Sequence, residues 1–212
     1  MSRPLSRLLR GLGVVLVAAS LSACISLFPK SKPSQLYRFD AGQAPAAAAR
    51  TVSASRVLVL RSGGTFNRAA AGDRLLTVTN DQVAYVAQAR WASPAVTLWD
   101  EAVSQAFDAN PGPAHLVVRG EPLRTDYVLR LDVRNFEAVY ERGPEAAPTV
   151  VVRVQGSLVR SRDRQPVLDQ AFEARVPAAD NRVGAIVSAY DKAVGQVLGE
   201  VVAWTNTLPP VS

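Results

Sequence analysis

Tyr127-Val128-Leu129-Arg130-Leu131-Asp132-Val133-Arg134-Asn135-Phe136-Glu137-Ala138-Val139-Tyr140 alternates apolar and polar residues and then changes phase. Successive side chains of a strand point to opposite faces. Tyr127, Leu129, Leu131 and Val133 therefore share one face, and Arg130, Asp132 and Arg134 the other. Past Asn135 the apolar set moves to Phe136, Ala138 and Tyr140. A slip of one residue flips every side chain. The stretch thus predicts a long strand with a bulge or sharp bend near Arg134–Asn135.

Downstream, residues 142–148 (Arg-Gly-Pro-Glu-Ala-Ala-Pro) read as a turn. Val150 to Arg160 and Val167 to Val176 are two further strands around the polar turn 161–166. Connections this short favour an antiparallel meander of three strands. A helix closes the chain: Val183, Ile186, Val187, Tyr190, Val194, Val197, Leu198, Val201 and Val202 recur at helical spacing. Asp180 is its expected N-cap, and Trp204 its end. It has one lysine, Lys192, whereas membrane-surface helices are rich in Lys and Arg. It therefore reads as packed against a sheet.

Upstream, Ser93-Pro94 opens another helix, serine as N-cap and proline at the first helical position. Ala95, Leu98, Trp99, Ala102, Val103, Ala106 and Phe107 form its apolar face, and Asn110-Pro111-Gly112-Pro113 stops it. Strands are expected at Gln35 to Phe39, Arg56 to Leu60 and His115 to Arg119. Leu75 to Thr79 and Gln82 to Ala87 flank Asn80-Asp81 as a hairpin. The expected fold is α+β: a mostly antiparallel, mixed sheet with two amphipathic helices packed on one face.

The N-terminus has another character. Arg3, Arg7 and Arg10 precede an apolar run from Gly11 to Leu21, and Leu21-Ser22-Ala23-Cys24 follows. A positive region, a short apolar region and small residues at a cut form an export signal. The run is too short to span a bilayer, which takes about 20 apolar residues. Leu21-Ser22-Ala23-Cys24 resembles the bacterial lipobox. That resemblance implies cleavage before Cys24, a diacylglycerol thioether on its sulfur and an acyl chain such as palmitate on its amino group. Residues 1–23 are then the signal, 24–34 the lipidated terminus and tether, 35–205 the folded domain and 206–212 a tail. The connector 41–50 is low in complexity.

Removing residues 1–23 takes away three arginines and no acid, which halves the net charge of +6 to +3 and leaves 189 of the 212 residues. The remaining arginines are interleaved with acids, as in Arg160-Ser161-Arg162-Asp163-Arg164. A nucleic-acid surface needs a basic stripe with aromatics, and there is none. Cys24 is the chain's one cysteine, so no disulfide is expected in the fold. His115 is the one histidine and reads as a strand-edge residue. No ligand cluster with zinc spacing, nucleophile elbow or phosphate loop occurs. No metal, cofactor or catalytic residue is expected, so the chain does not read as an enzyme. Asp132 and Glu137 are the one pair of carboxylates worth testing for acid/base work. Their phase differs across the bulge, and the sequence leaves open whether they converge.

The stretch Val83-Ala84-Tyr85-Val86-Ala87-Gln88-Ala89-Arg90-Trp91-Ala92-Ser93-Pro94 resembles the signature of the ABC-type transport auxiliary lipoproteins, the PqiC-like family. Its members show a tyrosine-bearing strand, Ala-Arg-Trp and a helix. Tyr85, Arg90 and Trp91 match, as do Phe136-Glu137 in the long strand and Ala203-Trp204 in the closing helix. The resemblance implies a non-catalytic periplasmic component of a lipid-transport system. Its partners would be an MCE-domain protein, an ABC permease and ATPase, and membrane lipids. A homo-oligomer is compatible with it. Arg90, Trp91, Tyr85, Phe136 and Glu137 carry no assigned role; Trp91 is expected under the sheet and Arg90 in a local hydrogen bond. Ile25 after Cys24, where an aspartate would signal inner-membrane retention in enteric-type bacteria, favours the outer membrane. A lipid-binding carrier module and a regulator of a cell-wall enzyme are the alternatives. The tether of about ten residues reaches at most about 36 Å, which favours work close to the membrane.

Overall fold

The computed structural model describes residues 33–40, 56–109, 112–117 and 124–210. Cys24, the lipobox, most of the tether, the connector 41–50 and Arg119 lie outside them. The chain divides after Pro33, and Ser34–Ser212 forms one compact unit.

Among the described residues eight strands form one mixed sheet: β1 (Gln35–Tyr37), β2 (Val57–Ser62), β3 (Arg74–Thr79), β4 (Gln82–Trp91), β5 (Ala114–Val117), β6 (Tyr127–Val139), β7 (Thr149–Arg160) and β8 (Pro166–Pro177). Among the described residues two helices, α1 (Ala95–Ala109) and α2 (Val183–Thr205), complete the α+β fold. The antiparallel meander β6–β7–β8 is as expected, with its long pairings.

The other edge of β6 is shared. β2 lies parallel to its start (Val59 opposite Tyr127), and β3 parallel to its end (Thr77 opposite Ala138). A bridge from Phe66 to Val133 sits between them. β5 continues outward from β2 in parallel, and β4 pairs antiparallel with β3. β1 runs parallel to the end of β4, with Gln35 opposite Ala89 and Tyr37 opposite Trp91.

The phase change in β6 is a bulge. Val133 pairs with Val154 and Asn135 with Arg153, which leaves Arg134 as the extra residue. Tyr127, Leu129, Leu131, Val133, Phe136 and Ala138 are all buried as a result. Asn67 caps the irregularity: its Nδ2 donates to the Arg134 carbonyl at 3.0 Å.

α2 packs on β7 and β8, and α1 packs on α2 and β5. Buried Ala189 and Ala193 widen the apolar side of α2 beyond its branched residues. Gly156 faces this helix. A Cβ there would lie 3.0 Å from Phe172 and Trp204 ring atoms, so only glycine admits the Trp204 indole without displacement.

Several expected boundaries move. β1 stops at Tyr37, and β4 runs past Ala87 to Trp91. α1 starts one residue after Pro94, and its first amides are satisfied by a loop: Ala95 N–H donates to Gly72 O at 2.9 Å and Val96 N–H to Ala71 O at 3.3 Å. Asp180 is not the N-cap of α2. Arg182 holds that position without a side-chain cap, and Asp180 Oδ1 instead accepts the Arg182 N–H at 2.8 Å. The Asp180 side chain is spent on a local turn, which such residues form readily.

Candidate functional site

The motif residues meet on and around β4. Trp91, its last residue, is 2% exposed and packs edge-on against Phe39 (5.1 Å between ring centroids) and Tyr190 (5.2 Å). Phe136 sits beside the same rings, at 5.1 Å from Phe39, 4.9 Å from Tyr190 and 6.4 Å from Trp91, and reaches Phe66 at 5.3 Å. Edge-to-face and tilted pairs at these distances suit aromatic quadrupoles. This cluster joins β4, β6, α2 and the segment just after β1, which supplies Phe39. Tyr190 donates from its hydroxyl to Leu76 O at 3.3 Å, and burial above all, then the Glu137 and Tyr140 charges, pushes its phenol well up. It stays neutral and structural.

Arg90 and Tyr85 lie on the opposite face of β4. Arg90 Nη1 is 2.7 Å from Asp73 Oδ2, and both side chains are nearly half exposed. Tyr85 donates to Ala69 O at 3.0 Å, with the Arg74 guanidinium 3.8 Å above its ring. The expectations for Trp91 and Arg90 hold: one packs in the core, the other bonds locally.

β4 is irregular between its two roles. Leu76 pairs with Tyr85 but Arg74 with Arg90, so β4 carries three extra residues there, and Gln88 takes φ +58°. Asn80 and Asp81 at the hairpin tip have φ +46° and +65°, the pair of left-handed residues that a two-residue hairpin turn needs.

Asp132 and Glu137 do not converge. They pair with Gln155 and Val151 on β7, which places them on one face but roughly 13 Å apart along the strand. Each has local work. Asp132 Oδ1 accepts the Thr65 N–H (2.7 Å) and hydroxyl (2.8 Å), with Arg130 Nε at 3.2 Å. Burial pushes its carboxyl up, but the Thr65 bonds and Arg130 outweigh this and hold it below the ordinary value. Glu137 accepts from Asn135 Nδ2 at 2.8 Å. Sequence reading missed that Asp132 is a strap. It ties the loop after β2 to β6, where Gly64 lies so close to Leu131 O that a Cβ would overlap it. The adjacent Gly63-Gly64 was its one signal.

His115 lies on β5 opposite Leu58. Among the described residues no group of three or more His, Cys, Asp or Glu is placed to hold a metal ion. No helix among them is long and apolar enough to cross a membrane.

What remains around the motif is a surface. Gln82 to Ala89 carries no charge, and β1 covers only the Ala89–Trp91 end of the β4 edge. Val83 is 59% exposed, and Leu36 on β1 66%.

The comparisons agree with this arrangement. Residues 37–202, from the last residue of β1 into the last turn of α2, match the family model described as "ABC-type transport auxiliary lipoprotein component". Among solved structures, protein XCC0632 from Xanthomonas campestris is similar in fold, with TM-score 0.64, 23% identity, and 82% of this chain and 93% of that one covered. A second, described as an uncharacterized protein, has TM-score 0.60 and 17% identity over 82% of this chain and 99% of its own. No curated protein matches the chain. With the model spanning the sheet, both helices and the Trp91 hairpin, the chain belongs to the ABC-type transport auxiliary lipoprotein family.

Proposed function

We propose that this protein is the non-catalytic, lipid-anchored periplasmic component of an MCE-type ABC transport system. In this reading it aids phospholipid movement between the inner and outer membranes by docking on the MCE-domain protein. The single observation that carries the reading is the family match over residues 37–202. The lipobox supports the anchor: signal 1–23 is removed, Cys24 carries the acyl chains, residues 24–34 are the tether, 35–205 the working domain and 206–212 the tail. Two or more acyl chains make such an anchor stable, at about 0.8 kcal/mol per buried CH₂. Ile25 favours the outer membrane. Tethering raises the local concentration for a weak docking event, which suits a part that itself transforms no substrate.

Cys24→Ala tests the reading. The variant should move from the membrane fraction to the soluble periplasm, and crosslinks between the domain and the MCE-domain protein should disappear. A variant that stays in the membrane and restores full function to a deletion strain would sink the anchored-adaptor reading.

A further inference from the structure

We propose that residues 34–40 are held to the domain by an acid-tightened clasp, in which Asp40 and Asp191 fasten the segment to α2 more firmly as pH falls from neutral. The clasp stands apart from the reading of Cys24 and from the identity of any transport partner.

The segment is lightly held before it reaches Asp40. β1 has three residues and pairs with Ala89 to Trp91 of β4 at an edge of the sheet. Ala92 N–H adds a bond to Tyr37 O at 2.6 Å. Gln35 and Leu36 are exposed. The chain then turns inward, and Phe39 is buried against Trp91 and Phe136. Asp40 follows, and here the segment meets a distant element. Its N–H donates to Asp191 Oδ1 of α2 at 2.8 Å, across 151 positions. Tyr190, the residue before Asp191, packs on Trp91 and Phe136, so the clasp adjoins the aromatic cluster.

The same contact brings two carboxyls together. The Asp191 side chain meets that of Asp40 as well as its N–H, and two carboxylates at such a site repel unless they share a proton. Arg38, also in the segment, is the cation that acts on Asp191. On α2 itself Lys192 is the adjacent charge. β7, β8 and α1 pack on α2 through buried apolar side chains, among them Val154, Phe172 and Ala102, while Glu137 and Tyr140 act on Tyr190. Burial above all pushes the Asp191 carboxyl above its ordinary value of 3.8; the Asp40 N–H opposes this, the Asp40 carboxyl adds to it and Arg38 opposes it.

Release of the segment takes Asp191 out of this burial and away from its acidic neighbour, which returns its carboxyl to the ordinary range. The docked form therefore holds a proton more tightly than the released form. Docking strengthens as pH falls through the raised value and is fully strengthened below 3.8. Above the raised value both carboxyls are charged and the clasp is weakest. The Asp40 N–H bond survives protonation, because the Asp191 carbonyl oxygen still accepts it. Asp132 lies below the ordinary value and stays ionised in the upper part of this range. The chain divides after Pro33, so the clasp governs how firmly the first residues of the compact unit resist a pull from upstream.

Amide hydrogen exchange of the full-length chain tests this, at about pH 7.5 and about pH 4.5 and corrected for the intrinsic pH dependence of exchange. The peptide spanning 34–40 is read against one from β7. Its relative protection should rise severalfold at the lower pH. Asp191→Asn keeps an acceptor oxygen for the Asp40 N–H but cannot titrate, and should remove the rise. Relative protection that is equal at the two pH values, or that falls in acid, overturns the proposal. So does a rise of the same size in Asp191→Asn. Where that variant also loses protection in β7, Asp40→Asn is read in its place. It takes away the like charge and should reduce the rise; an undiminished rise overturns the proposal.

Discussion

The β3–β4 and β7–β8 hairpins sit at opposite ends of one sheet and use their residues in opposite ways. β7–β8 is long and nearly regular, with one register shift at Leu158/Val159. Its inner face holds α2 through Phe172 and Trp204, whose rings lie 5.4 Å apart over Gly156. Its outer face is a ladder of charges, Arg153 with Glu173 and Arg175 with Glu173 and Glu141. β3–β4 is short and broken by extra residues. Its root is core, at Trp91, but its open side exposes Val83 in an uncharged stretch. Edge strands are normally blunted by charge or covered. A hairpin whose every face is satisfied by its own chain is scaffold. One that spends its aromatic root on the core and leaves its rim apolar is the better candidate for contact with something else.

The comparison breaks most directly at Trp91. Trp91→Ala opens a cavity among Phe39, Phe136 and Tyr190 and should cost about 3–5 kcal/mol, read as a lowered urea midpoint. A loss below about 1 kcal/mol would mean that the β3–β4 root is not anchored and that its open rim is only looseness. Next comes the strap on β6, the strand that lies between the two hairpins. Asp132→Ala leaves the Thr65 N–H without its charged acceptor and should cost about 1.5–3 kcal/mol near neutral pH. Because folding lowers the Asp132 value, its contribution is present above the ordinary carboxylate value of 3.8 and fades as pH falls through the lower folded value. The stability gap between wild type and variant should therefore shrink below about pH 4. A gap unchanged down to pH 2 would exclude the carboxylate as its source.

The elements set by short-range pattern were legible from the sequence. The phase slip between Val133 and Phe136 announced the bulge, helical spacing found both helices, and Asn80-Asp81 gave the hairpin tip. What was not legible rests on distant partners. β2 meets β6 in parallel with Val59 beside Tyr127, and nothing near either residue encodes that register. Asp132 bonds to Thr65, 67 positions away, so locally it looked like a solvated carboxylate. Gln88 adopts positive φ without being glycine, which hid the irregularity in β4 and ended the expected strand at Ala87. Of the motif residues, sequence placed Trp91 and Arg90 correctly because size and charge dictate their sides. The exposure of Val83 was not readable, since alternation with Tyr85 looks the same on a covered strand as on an open rim.

The smallest effect should be on the outer ladder of β7–β8. Arg153 and Glu173 pair across the strands at 3.0 Å, with side chains 55% and 34% exposed. Exposed ion pairs gain little, because water competes and two long side chains must be held still. A double-mutant cycle with Arg153→Ala and Glu173→Ala should give a coupling of about 0.2–1 kcal/mol, reduced further in high salt. Arg175 lies 3.7 Å from the same Glu173, so part of the loss in Arg153→Ala is recovered by the neighbour. A coupling above about 2 kcal/mol would make the charged face a structural element and weaken its contrast with the bare rim of β3–β4. A coupling near zero assigns the stability of this hairpin to its inner face, where Gly156 admits Trp204, and leaves the charges as the reason that end of the sheet stays in water.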